Sequence, residues 1–220
     1  MRTVIAGGHG KIALRLATLL ANQGHEVVGV VRNPDHRADV EQTGASAVVL
    51  DLESASAADL TPALKGADAV VFAAGAGPGS TAARKDTVDR AAAVLLADAA
   101  AQAGVRRYVL VSATGVDQPV DPARGEVWAA YVAAKKAAED ALRGRSDLDL
   151  TIVRPGTLTD DPGVGKVALS TGPLDRVDVT RDDVAAVLAA VLEAPGTAGL
   201  TLELMGGTDD IVGAVAAVQK

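Results

Sequence analysis

Through its first two-thirds the chain alternates short, almost unbroken apolar runs with longer Ala- and Leu-rich stretches at helical spacing. A strand solvated on one face reads apolar, polar, apolar; an unbroken run belongs to a parallel strand that crossover helices cover on both faces. The pattern predicts strands over residues 2–6, 25–31, 47–50, 69–73, 105–111 and 150–153. It predicts helices over 10–22, 34–42, 56–64, about 80–103 and about 126–143. Six strands with helices between them specify an α/β fold, a Rossmann-like doubly wound parallel sheet. Gly24 and Gly104 follow predicted helices where a left-handed residue is often needed.

The tail differs. Residues 156–176 are rich in Gly, Pro, Asp and Thr, with one apolar run at 164–169, and a loop this long reads as a functional lid. Thr180 and Asp183 have capping-box spacing and open a helix to about residue 193. A strand at 200–204 and a helix at 209–218 complete the chain. The expected organisation is a single domain: a cofactor-binding part, 1–155, and a small C-terminal substrate-side region, 156–220, sharing one core.

Composition narrows the function classes. The chain has 220 residues, 49% hydrophobic and 22% charged, enough for one sizeable core and unlike a disordered chain. Its net charge of −7 lacks the basic surface that nucleic acid demands. There is no apolar run long enough to span a membrane and no signal-peptide pattern at the N-terminus, so a cytoplasmic protein is expected. With no cysteine and three histidines (His9, His25, His36), disulfides, thiolate nucleophiles and a His-rich metal site fall away. The expected partner is a small-molecule substrate, with no nucleic acid and no membrane. The chain is expected to be a monomer or a homodimer paired through its long helices.

Gly7-Gly8-His9-Gly10-Lys11-Ile12-Ala13 lies between the first strand and the first helix. Small residues let the backbone approach a pyrophosphate, and the helix N-terminus offers unpaired N–H groups and partial positive charge. This placement makes the turn a dinucleotide-binding site. After the second strand stands Arg32, where an acidic residue would bind a ribose 2′-hydroxyl. A guanidinium matches phosphate, so Arg32 favours NADP over NAD, unless it is a solvated surface arginine. Asp51-Leu52 is placed for the adenine, with a helix N-cap as the plain alternative for Asp51. The small residues Ala73-Ala74-Gly75 suit close passage of the cofactor.

Ser112 ends the fifth strand, at the sheet edge where such folds bind ligands. Tyr131 and Lys135, four apart, share one face of the following helix. In carbonyl reduction a tyrosine can give a proton to the developing oxyanion, if a nearby ammonium lowers its pKa. Three units of lowering need about 4 kcal/mol. On this reading Lys135 lowers the pKa, Tyr131 donates and Ser112 orients the substrate oxygen; an ordinary amphipathic helix has the same spacing. Trp128, one turn before Tyr131, walls a substrate pocket or packs in the core.

Together these residues resemble the atypical short-chain dehydrogenase/reductase family, in its single-domain members related to sugar-nucleotide epimerases and NmrA-like proteins. The resemblance extends through Gly104 to Ser112, Tyr131-Val132-Ala133-Ala134-Lys135, Thr151-Ile152-Val153-Arg154-Pro155-Gly156 and Val179 to Ala185. It implies NAD(P) binding, catalytic places for Ser112, Tyr131 and Lys135, and Pro155, Gly156 and Thr157 beside the nicotinamide. Ala13 replaces a usual glycine, and the family's Asn-Asn-Ala-Gly reads Phe72-Ala73-Ala74-Gly75. The helix Asn of the family's proton relay has no clear counterpart; Asp89 and Arg90 stand near its place. The implied activity is NADP-dependent hydride transfer with a small carbonyl or related unsaturated substrate. A redox-sensing NAD(P)-binding protein and, ranked lower, a nucleotide-sugar epimerase are the alternatives.

Overall fold

The computed structural model describes residues 1–77 and 79–219. Strand β1 (Arg2–Ala6) leads through helix α1 (Lys11–Asn22) to β2 (Glu26–Val31). A 3-10 turn, Pro34–His36, continues into α2 (Arg37–Gln42), followed by β3 (Ser46–Val49), α3 (Ala57–Leu64) and β4 (Ala69–Phe72). The next helical run has three parts: α4 (Ala82–Arg84), a π-helical stretch Lys85–Ala91, and α5 (Ala92–Ala103). Then come β5 (Arg107–Val111), α6 (Glu126–Arg143) and β6 (Asp149–Pro155). The tail holds β7 (Leu158–Thr159), β8 (Lys166–Ser170), β9 (Val179–Thr180), α7 (Arg181–Leu192), β10 (Thr201–Gly206), β11 (Asp209–Asp210) and α8 (Ile211–Val218).

The main sheet runs β3-β2-β1-β4-β5-β6-β10-β8-β11. Its first seven strands are parallel, with Val4 beside Val28 and Val70, and Leu110 beside Ile152. Successive residues of each strand feed opposite faces. Ile5, Val71 and Val109 pack beneath α1, α2, α7 and α8, while Val4, Phe72 and Leu110 pack beneath α3, α5 and α6. That double burial is why the strands read as continuous apolar runs. One cluster joins residues of α1 (Leu16, Leu20) to residues of α7 (Val184, Leu188), so both parts of the chain share apolar core. Among the described residues, no helix is long and apolar enough to cross a membrane.

Two expectations need correction. The 156–176 stretch is not a plain loop: its apolar run forms β8, antiparallel to β10, so Leu169 lies opposite Leu204. Pairing with a strand more than thirty residues away, rather than local pattern, makes it a strand. The helix expected over 80–103 contains the π-helical stretch, a form that recurs at functional sites.

Two turns follow the expected chemistry. Gly24 and Gly104 adopt φ of 82° and 75°. Thr180 Oγ1 accepts the Asp183 N–H at 3.0 Å, but the Asp183 carboxylate departs from a full capping box. Besides the Thr180 hydroxyl, it accepts the N–H groups of Val164 and Gly165, pinning the tail against α7.

Candidate coenzyme and active site

Chain order reverses around β1: the chain runs outward to β2 and β3, then returns to pair β4 on the other side of β1. Open α/β sheets bind ligands at the carboxyl ends of strands at such a switch point, and the glycine turn occupies it. Gly7 has φ 81°, and a Cβ there would lie 2.5 Å from Ala74 Cα. A Cβ on Gly8 would lie 2.7 Å from Gly29 Cα in β2, so Gly8 serves close packing. Gly10 caps α1 without a side-chain hydrogen bond. Among the described residues the first-turn N–H groups of α1 thus have no side-chain acceptor, which is the condition for binding a diphosphate. The residues present fit a dinucleotide.

Two cavities flank this turn and share Ala73, Ala74 and Gly75 as a common floor. The larger, about 360 Å³, is bounded by Gly7, His9, Gly10, Arg32, Asp51 and Leu52, and also by Asn33, His36, Glu53 and Arg84. Glu53 ties its wall together, accepting from Arg84 at 2.6 Å, Thr87 at 2.7 Å and Arg32 at 3.0 Å. Hydrogen bonding from Arg84, reinforced by Thr87 and the charge of Arg32, holds the Glu53 carboxyl at about 2, well below its ordinary 4.5. Arg32 is an exposed arginine, its side chain 55% accessible, paired with Glu53 at the cavity edge. Two guanidiniums face Glu53, and Asp51 stands on the same wall, so the arginines and carboxylates around this cavity balance. His9 stacks on His36 with ring centroids 3.6 Å apart and bonds Asp39 at 2.8 Å. Asp51 is not a helix N-cap: it accepts Glu53 N–H in a turn, while Ser56 caps α3.

The second cavity, about 220 Å³, is bounded by Asp89, Ser112, Tyr131, Lys135, Pro155, Gly156 and Leu158. It gathers the expected Ser, Tyr and Lys, but their hydrogen bonds run elsewhere. Ser112 Oγ donates to buried Glu139 at 2.5 Å, and Glu139 also accepts from Arg154 and Arg143. Lys135 Nζ donates to Val111 O at 3.0 Å and pairs with Asp89 at 3.4 Å. Burial pushes the Lys135 ammonium below its ordinary range, with Asp89 pulling the other way. Nor is Tyr131 activated: its burial and the Asp89 charge push its hydroxyl up to about 12. The lowering expected from Lys135 is absent because burial moves the ammonium down and the hydroxyl up, so Lys135 gives up its charge before Tyr131 ionises.

Asp89 belongs to the π-helical stretch and is 1% exposed. Its carboxylate also accepts the Ala76 N–H at 3.2 Å, while Lys85, from the same stretch, donates to Gly77 O at 2.9 Å and lies 5.4 Å above the Tyr131 ring. The π-helical stretch thus fastens the loop that floors both cavities. Four expected residues bound neither cavity. Gly8 packs on β2, Lys11 pairs with Asp160 at 2.6 Å, Ile12 packs against the core, and Thr157 O accepts from Val179. Glu53, Arg84, His36 and Leu158 were not anticipated. Glu139 and Arg154 carried a signal: Glu139 continues the four-residue spacing of Tyr131 and Lys135, and Arg154 precedes Pro155.

The NAD(P)H-binding family model matches residues 7–195, and the chain belongs to that family. It is 36% identical over 217 residues to "Uncharacterized sugar epimerase YhfK" of Bacillus subtilis (strain 168), covering 98% of this chain and 99% of that protein. A Bacillus halodurans structure, provisionally assigned as an NAD-dependent epimerase/dehydratase, superposes with a TM-score of 0.89 at 37% identity, covering 99% of this chain and 100% of that one. The oxidoreductase ylbE of Lactococcus lactis superposes with a TM-score of 0.84 at 26% identity, covering 99% and 96%.

Proposed function

We propose that the chain is an NADP(H)-dependent oxidoreductase transferring hydride between the nicotinamide and a small carbonyl or related unsaturated acceptor. The carrying observation is the pair of cavities that share the Ala73–Ala74–Gly75 floor on either side of the diphosphate turn. The larger suits the adenosine half, and the guanidiniums of Arg32 and Arg84 on its wall offer planar forks to a 2′-phosphate. The smaller suits the nicotinamide, which when bound supplies or takes up the hydride. The oxidoreductase name of the Lactococcus lactis protein points the same way.

The chain's own groups narrow the acceptor. Ser112 has committed its proton to Glu139, and Lys135 is committed to Asp89 and Val111. Tyr131 remains as a neutral hydroxyl held at about 12. An isolated ketone would take hydride to a strongly basic alkoxide and demand the full proton, leaving a phenolate beside Asp89. A conjugated acceptor, such as a quinone or an enone, spreads its charge and needs only a hydrogen bond from Tyr131. Conjugated acceptors are therefore the favoured class. A cavity of about 220 Å³ that must also house the nicotinamide weighs against a nucleotide sugar, despite the epimerase names among the relatives.

The test is NADPH and NADH oxidation against quinones, enones, aldehydes and simple ketones, with Tyr131→Phe in parallel. NADPH should be preferred, conjugated acceptors should react fastest, and Tyr131→Phe should lower kcat/KM about 10–100-fold. Tight NADPH binding without turnover of any acceptor would replace the enzyme reading with that of a redox-sensing protein.

A further inference from the structure

A third cavity, about 380 Å³, shares no bounding residue with the two described above. It lies between the segment after β5 (Thr114, Gly115, Asp117, Gln118), the segment after β8 (residues 171–176) and the Thr201–Glu203 edge of β10. Three arginines reach it. Two are already answered by carboxylates. Arg154 donates to Glu139, to Asp117 at 2.7 Å and to Glu203 at 3.1 Å. Arg143 donates to Glu139 at 2.7 Å and to the Thr201 hydroxyl at 2.9 Å.

Arg176 is different. Among the described residues no carboxylate oxygen lies within 4.0 Å of it, and its one hydrogen bond is a long 3.4 Å contact to the Gln118 amide oxygen. Arg176 is exposed, and its guanidinium lies against Gly115, where a Cβ would come within 2.9 Å of Nη2. In a chain of net charge −7, this leaves a guanidinium without a carboxylate partner among the described residues, at a cavity also bounded by Thr114, Thr171 and Thr201.

We propose that this cavity is a second ligand site, binding the carboxylate or phosphate of a small polar molecule, with Arg176 as the principal ligand. The planar fork of a guanidinium meets two oxygens of such a group at once. Asp117 and Glu203 restrict the net charge the site tolerates, so compact anions fit better than highly charged ones. The site does not depend on the coenzyme reading, since neither coenzyme cavity contributes a residue to it.

The experiment is calorimetric titration of succinate and of inorganic phosphate into the native chain and into Arg176→Gln, at constant ionic strength against sodium chloride. At least one of the two should bind the native chain saturably, with a Kd of about 1 mM or tighter, and at least tenfold more weakly in Arg176→Gln. The two arms separate carboxylate from phosphate recognition. NADPH affinity should change less than twofold in the variant. No saturable heat up to about 20 mM for either probe overturns the proposal. So does equal affinity in native and variant chains, which would place the anion elsewhere, as at the N-terminus of α1. Arg176 is exposed, so the variant is expected to fold, and unchanged circular dichroism checks that it does.

Discussion

Replacing Asp89 with Asn tests what holds Tyr131 neutral. Lys135 Nζ lies 6.0 Å from the Tyr131 ring centroid and 3.4 Å from Asp89. At an effective dielectric of about 20, a unit charge 6 Å away is worth about 2.8 kcal/mol, or roughly two pKa units. Lys135 does not supply that attraction at the pH where Tyr131 ionises, because burial lowers its own pKa; burial and the Asp89 charge set the native value. In Asp89→Asn the repulsion is gone, and Lys135, without the carboxylate that raised its pKa, stays neutral there. The Tyr131 hydroxyl should then fall below about 12 but, still buried, stay above its ordinary 10.

The composition makes the assay clean, because the chain has only two tyrosines. Tyr108 is fully buried, donates to Ala93 O at 2.9 Å, and its burial drives its pKa well above 10. Phenolate absorbance after a rapid pH jump to about 11, read before unfolding, therefore reports Tyr131. About a tenth should be ionised in the native chain and a clearly larger fraction in Asp89→Asn, with no signal in Tyr131→Phe. A native Tyr131 that ionises at or below 10, or an Asp89→Asn variant that titrates with the native chain, would refute the electrostatic account.

Gly7→Ala combines a left-handed residue at about 1–2 kcal/mol with overpacking against Ala74 at about 1–3 kcal/mol. It should lower Tm by roughly 10 °C in calorimetry and abolish coenzyme binding. Glu139→Gln leaves the buried Arg154 short of an anion, at a cost of about 3 kcal/mol, and should lower Tm by about 6–12 °C. Glu53 has a depressed pKa, so its contribution to stability is present above about 4.5 and is lost as pH falls towards 2. Glu53→Gln should flatten that acid limb in urea titrations between about pH 2.5 and 6. By freeing Arg32 and Arg84, the same variant should also raise the NADPH-over-NADH affinity ratio about tenfold in fluorescence titrations.

What the sequence disclosed, and what it hid, follows the range of the interactions. The parallel strands and the glycine turn were legible because burial on both faces and a strand-to-helix bend leave local marks. Strand β8 was hidden because its edge is satisfied by β10, far along the chain, while Gly- and Pro-rich neighbours gave it the look of a loop. The π-helical stretch leaves no periodic mark in seven residues. Glu53 and Arg84 are 31 positions apart, and only the fold brings them together at the larger cavity. Ser112 was correctly placed at a strand end, but the partner of its hydroxyl depends on α6 and β6 presenting Glu139 and Arg154 to one point.

Those partners change how the family's three motif residues should be probed. Tyr131, Lys135, Glu139 and Arg143 recur every four residues along α6, forming one stripe. The stripe passes from the smaller cavity, through the Asp89 pair and the Ser112–Glu139–Arg154 cluster, to Thr201 at the start of β10. Lys135 and Ser112 are thus members of a buried polar network as well as walls of the cavity. Removing Lys135 leaves the buried Asp89 without its cation, and removing the Ser112 hydroxyl takes one donor from the buried Glu139, so either costs folding energy whether or not the residue meets substrate. Lost activity in Lys135→Met or Ser112→Ala would therefore be ambiguous. Tyr131 is the one motif side chain whose polar group makes no hydrogen bond among the described residues. Its replacement by Phe should leave Tm within about 1 °C of native, so a kinetic effect there can be read as chemistry.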